Sequence, residues 1–161
     1  MALKKLTAAL LTAALSLSAC GKHESEHEAD HQAAEPAAKI AALSRTPSPD
    51  GARVFFISPA DGDTVSSPVR IEFGIEGMSV TKAGDAQPNS GHHHLVIDAD
   101  LPDLALPIPA DANYVHFGDG RTLTEITLEP GQHSLRMLLG DHLHIPHDPP
   151  VVSDSITITV E

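Results

Sequence analysis

The chain has 161 residues, of which 22 are acidic and 10 basic, giving a formal net charge of -12; it carries 11 histidines, one tyrosine, four phenylalanines and no tryptophan. A chain this acidic lacks the basic face that nucleic acid requires, so nucleic acid is excluded as a partner, whereas the acidic surface favours solubility and attracts cations. One cysteine cannot make an internal disulfide or a multi-thiolate metal site.

The first residues, "MALKKLTAALLTAALSLSAC", place two lysines before an apolar run too short to span a bilayer, followed by small residues. This is the pattern of a secretory signal. Leu17-Ser18-Ala19-Cys20 resembles a bacterial lipobox, which implies a lipoprotein signal peptide over residues 1–19 and acylation of Cys20 as the first mature residue. More than one acyl chain gives stable attachment, so the membrane is an expected partner through the lipid on Cys20. Gly21, rather than aspartate, as the second mature residue directs the expectation to the cell envelope, on the outer membrane and facing the periplasm. The only thiol is then consumed by lipid and leaves no cysteine nucleophile or thiolate ligand.

Residues 20–51 are dominated by Ala, Glu, His, Pro and Ser, with almost no bulky apolar side chain, and read as a disordered tether that cannot bury enough surface to offset its ordering entropy. "HESEHEADH" spaces His23, His27 and His31 at i, i+4, i+8, one face of a transient helix. Either this is a metal-gathering tail or a solvated charged tether rich in histidine.

From residue 52 to 161 the pattern changes. Seven short runs alternate apolar and polar residues and are separated by Gly, Pro, Asp and Asn: "RVFFIS", "SPVRIEFGIEG", "HHHLVID", "YVHFG", "TLTEITLEP", "QHSLRMLLGD" and "SDSITITVE". Together they predict an all-β domain, an immunoglobulin-like antiparallel β-sandwich of about seven strands. Val69, Ile71 and Phe73 share one face of their strand. "LPDLALPIPADAN", with three prolines, and "GDHLHIPHDPP" are read as loops, since proline removes ladder donors.

The run "GHHHLVID" is the most unusual feature. Alternation puts Leu95 and Ile97 on the core face with His93 at its rim, and turns His92 and His94 outward, a pair of ligands presented by one strand. His116 ends the "YVHFG" strand, and "GDHLHIPH" supplies His142, His144 and His147 beside Asp141. Loops at one end of a sandwich converge, so these segments can build one site. The candidate metal ligands are therefore His92, His94, His116, His142, His144 and His147, with His93, Asp141, His23, His27 and His31 as weaker candidates. Neutral imidazoles without thiolate favour copper, with zinc next. Met137 alternates with Leu135 and Leu139 as a core residue, Met78 in a turn stays open, and His133 reads as a structural residue at a strand corner.

"FFISPADGDTVSSPVRIEFGIEGM", "GHHHLVID", "HFGDGRT" and "PGQHSLRMLLGDHLHIPHDPP" resemble a bacterial domain family of unknown function marked by a Gly-His-His-His-Leu run, a Leu-Leu-Gly-Asp segment and a Pro-His-Asn-Pro-Pro-like tail. The resemblance spans nearly the whole folded domain and implies secreted or lipid-anchored proteins without an established activity. The tail departs from the family form in carrying Asp148, which either assists a cation or caps the turn.

Three functions compete. The first is transition-metal binding for sequestration or delivery, with a metal-delivery client or another envelope protein as partner. A non-catalytic interaction module, with histidines bracing the loops, is the second. The third is a metal-dependent hydrolase or oxygenase on the histidine cluster; no Gly-x-Ser-x-Gly elbow, His-Glu-x-x-His helix or phosphate loop is present, and Ser79 and Ser90 lack an evident base. The first is the expectation, and the protein is read as a non-enzyme. Scarce aromatics weigh against glycan binding.

Overall fold

Period-two alternation takes shape as two facing sheets. The computed structural model describes residues 44–161; Cys20, His23, His27 and His31 lie outside the described residues. In chain order the strands are β1 (Arg53–Ser58), β2 (Thr64–Val65), β3 (Val69–Glu76), β4 (Ser79–Val80), β5 (Ser90–Ile97), β6 (Tyr114–His116), β7 (Leu123–Ile126), β8 (Gly131–Gly140) and β9 (Ile156–Val160). No helix occurs among the described residues. One sheet has the order β1-β3-β7; the other has the order β2-β9-β8-β5-β4, with β6 also paired to β5.

All seven expected strands are present. The two additional ones, β2 and β4, have two residues each, too few to leave a periodic signal. Both pair parallel, β2 with β9 and β4 with β5, so the sandwich is not purely antiparallel. Val54, Val69, Ile71 and Phe73 from the smaller sheet pack on Leu95, Ile97, Leu135, Met137, Leu139, Ile158 and Val160 from the larger one. The removal of these side chains from water is the main force holding the sheets together. Met137 belongs to this core, as its alternation predicts.

Strand β5 corrects an expectation. The alternation divides its side chains as read, but every residue from Ser90 to Ile97 is buried, and His92, His93 and His94 are 0%, 0% and 1% exposed. His92 and His94 do not face solvent, because the sheet surface they occupy is roofed by the proline-rich loop and the loop after β8. Ile108 from the first and Ile145 from the second are buried, together with Val96 and Leu138, outside the sandwich core. Strands covered on both faces normally read as continuous apolar runs; here imidazoles occupy three of the eight positions, which hid the second covering layer from a hydropathy pattern.

The segment just before β1 also departs from the tether reading. Asp148 N donates to Thr46 O at 3.0 Å, Ser48 N donates to Asp148 O at 3.2 Å, and Pro47 and Asp148 form a parallel bridge. Residues 45–48 are thus laid against residues 146–149 and belong to the domain.

Ile71 is fully buried at the sandwich centre. Ile71→Ala is expected to lower unfolding stability by about 2–5 kcal/mol, while Ile57→Ala, at an exposed position, changes it by less than about 0.5 kcal/mol. Urea titration of the two variants checks this.

Candidate metal centre

Register builds the centre. His94 lies opposite His116 of β6 on one side and Leu138 of β8 on the other, and His92 lies opposite Gly140. Directly paired residues project to the same face, so His92, His94 and His116 converge on one side of the sheet. The loop after β8 adds His144. Its ring centroid stands 4.7 Å from that of His116, 4.9 Å from His92 and 6.0 Å from His94, while the other three rings are each 4.9 Å apart.

His92, His94 and His116 can each offer a ring nitrogen within 4.8 Å of the others. The Nε2 atoms of His92 and His94 are already 3.0 Å apart. A tetrahedral ion with bonds of about 2.0–2.1 Å holds its ligand nitrogens roughly 3.3 Å from one another, so the three rings form a group that could hold a metal ion after small side-chain rotations. Nδ1 of His92, Nδ1 of His94 and Nε2 of His116 are buried without a hydrogen-bond partner. Two glycines make the space: a methyl at Gly118 would collide with the His116 ring, and one at Gly140 would come 2.9 Å from His94 Nε2.

The environment keeps these imidazoles neutral, the state that ligates metal. Burial, reinforced by His116 and His144, lowers His92 to about 4. Burial and the neighbouring His92, His116 and His144 lower His94 to about 2, and burial with His144 depresses His116 as well. His116 and His144 are half-buried, which places the solvent side of the cluster at these two rings.

The remaining candidates lie elsewhere. His93 is on the core face, 4.9 Å from Phe73, and burial lowers it to about 4. His147 is fully buried, with Nε2 3.2 Å from Ser90 O and its Cε1 over Gly91 on the side opposite the cluster. His142 makes none of the ring contacts of the cluster; its carbonyl accepts Gly84 N at 3.1 Å. Asp141 is a loop brace: its carboxylate accepts Leu143 N at 2.8 Å, Ile145 N at 3.0 Å and the Thr46 hydroxyl at 2.6 Å. Burial alone would raise its pKa, but these bonds together outweigh it and hold the carboxyl below its ordinary value. Asp148 pairs with Arg45 at 3.2 Å. His133 closes a strand corner through Asp98 and Glu129 O, and the Asp98 hydrogen bond raises its pKa. Met78 packs at the edge of the core.

Sequence reasoning passed over Gly118, Gly140 and Thr46. "HFG" and "LLG", each putting glycine beside a candidate ligand strand end, were the available signals for the first two; Thr46 carried none.

These features define an all-β sandwich domain with a buried imidazole cluster that could hold a metal. Residues 71–161 match the family described as Domain of unknown function (DUF4399), and the chain belongs to that family. The match takes in every histidine of the cluster and starts after residues 45–48. Comparison with curated proteins gives no match.

For His92 and His93, folded values near 4 lie below the ordinary 6.5, so the unfolded chain takes up protons first as pH falls. Their contribution to stability is present above pH 6.5 and is lost progressively as the pH falls towards 4. Each such histidine adds a slope of about 1.4 kcal/mol per pH unit across that window. His133 acts in the opposite sense, its contribution fading as pH rises through its raised value. Urea midpoints of the metal-free protein between pH 4 and 8 are expected to fall steeply on the acid side; a flat profile would exclude neutral burial of the β5 histidines.

Proposed function

We propose that the protein binds one transition-metal ion, copper before zinc, through His92, His94 and His116 with His144 as a fourth ligand, and sequesters it or hands it to a client in the cell envelope. The observation that carries this reading is the set of buried, partnerless ring nitrogens on His92, His94 and His116, rings that converge from two strands. A network built only to brace loops satisfies its polar atoms, as His133 does with Asp98 and Glu129. Donors that are all imidazole, with no thiolate beside them, favour Cu(II) along the Irving–Williams series, with Zn(II) next. A fourth ligand from His144 would fill the position that a catalytic site leaves open for water, which favours holding an ion over hydrolysis or oxygenation.

Lipidation at Cys20 would place the domain at the membrane surface, and His23, His27 and His31 in the tether would raise the local concentration of the same ion. The acidic charge acts in the same direction by attracting cations.

Titration of the full chain with Cu(II) and with Zn(II) tests the reading. One tight equivalent is expected, with a rise in stability of about 2.7 kcal/mol at a free-ion concentration a hundredfold above Kd. His92→Ala with His94→Ala is expected to abolish the tight equivalent while the domain remains folded by circular dichroism. Tight binding that survives in the double variant would place the ion elsewhere and defeat the assignment.

A further inference from the structure

His144 differs from its three neighbours in how it is held. His92, His94 and His116 stand on strands, where the sheet fixes their direction. His144 stands on a loop, in the left-handed region at φ 67°, a conformation that a non-glycine residue keeps only when its surroundings enforce it. The enforcing groups can be named. His144 N donates to Asp141 O at 2.9 Å, and His144 O accepts Ile108 N at 2.8 Å. On either side, Leu143 N and Ile145 N donate to one oxygen of the buried Asp141 carboxylate.

The other oxygen of that carboxylate receives its bond from Thr46, 95 positions away in the chain. Next to it, the Arg45 guanidinium donates to Pro146 O at 3.0 Å, to His147 O, and to Asp148 Oδ1 at 3.2 Å. Asp148 N donates to Thr46 O at 3.0 Å, and the Ser48 hydroxyl donates to Pro149 O at 2.8 Å. With the bond from Ser48 N to Asp148 O, seven bonds tie residues 45–48 to the loop that carries His144, and one of them ends on the carboxylate that shapes the turn.

We propose that residues 45–48 are a strap that sets the position of His144 through Asp141 and so tunes the affinity of the imidazole centre, with Thr46 and Arg45 as positioning residues. The inference rests on the metal reading above. It gives the chain segment immediately before the sandwich, outside the stretch matched by the family, a role at the site. The strap touches neither the strand ligands nor their glycines in these contacts, so its effect is routed through the loop ligand alone.

The test uses the full chain and Cu(II) alone, with affinity read by competition against a chromophoric chelator. Thr46→Val keeps the shape and removes the hydroxyl; it is expected to weaken binding about ten- to a hundredfold, the usual effect of losing an outer hydrogen bond that orients a ligand. Thr46→Ser is expected to restore wild-type affinity. His144→Ala is expected to weaken binding comparably, and adding Thr46→Val to it changes little further, because both remove the same ligand. Nitrogen couplings in the Cu(II) electron paramagnetic resonance spectrum are expected to fall by one ring in Thr46→Val and in His144→Ala. Arg45→Gln carries the same comparison if Thr46→Val does not fold. Undiminished affinity in both strap variants, or an equal loss from Thr46→Val with and without His144, overturns the inference while leaving the metal centre in place. A wild-type chain without a tight Cu(II) equivalent overturns both readings.

Discussion

His94 sits between His116 and Leu138 on two neighbouring strands, and this pairing governs what the rest of the chain has to do. It sets the alternation of β5, sending Leu95 and Ile97 into the sandwich and His92 and His94 to the reverse side. It also brings His116 alongside from β6. Once these rings share a face, that face needs a roof, and two long connections supply it. Ile108 and Ile145 reach over the sheet from them, and the backbone bond from Ile108 N to His144 O joins one loop to the other. The irregular quarter of the domain is thus organised around the even-numbered side of a single strand.

That organisation is unfavourable for stability taken by itself. Each buried polar atom without a partner costs about 1–3 kcal/mol, and the β5 and β6 histidines carry several. Glycines at 118 and 140 are required where any side chain would meet a ring, and His144 holds a left-handed backbone. His93 adds two partnerless nitrogens inside the hydrophobic core, where its neutral ring packs against Phe73 much as another aromatic would. Local rules broken together at one place, in a chain that otherwise obeys its pattern, are characteristic of functional sites, since a ligand that satisfies unpartnered lone pairs recovers the loss.

The sandwich was legible because the inner faces of its long strands follow period two: Val69, Ile71 and Phe73 on β3, and Leu135, Met137 and Leu139 on β8, are core residues in both pattern and structure. The ligand strand was legible in part. Alternation separates His93 from His92 and His94, but polar residues on the reverse face were equated with exposure, and nothing in the local pattern reveals that distant loops close over them. For the same reason six histidines in three segments looked equivalent. Two residues decide between them. Gly91, with no side chain, admits His147 on the core side, and the Asp141 turn directs His144 to the other side while the His142 carbonyl bonds Gly84. The strap was illegible for a different reason: Arg45 and Thr46 sit in a run of Ser, Pro and Asp without periodicity, and their partners are about a hundred residues away.

The cluster is graded in rigidity as well as in depth. At its floor, His92 and His94 are fixed by an interior strand of the larger sheet; His116 is on a strand of three residues; His144 is on a turn. The half-buried rings, His116 and His144, are those nearest solvent, so the least rigidly held ring of the cluster is also one of its two most accessible. The position of the strand rings is thus set by the sheet ladder, whereas that of the loop ring is set by the few hydrogen bonds that converge on the Asp141 carboxylate, and the second can change while the first does not.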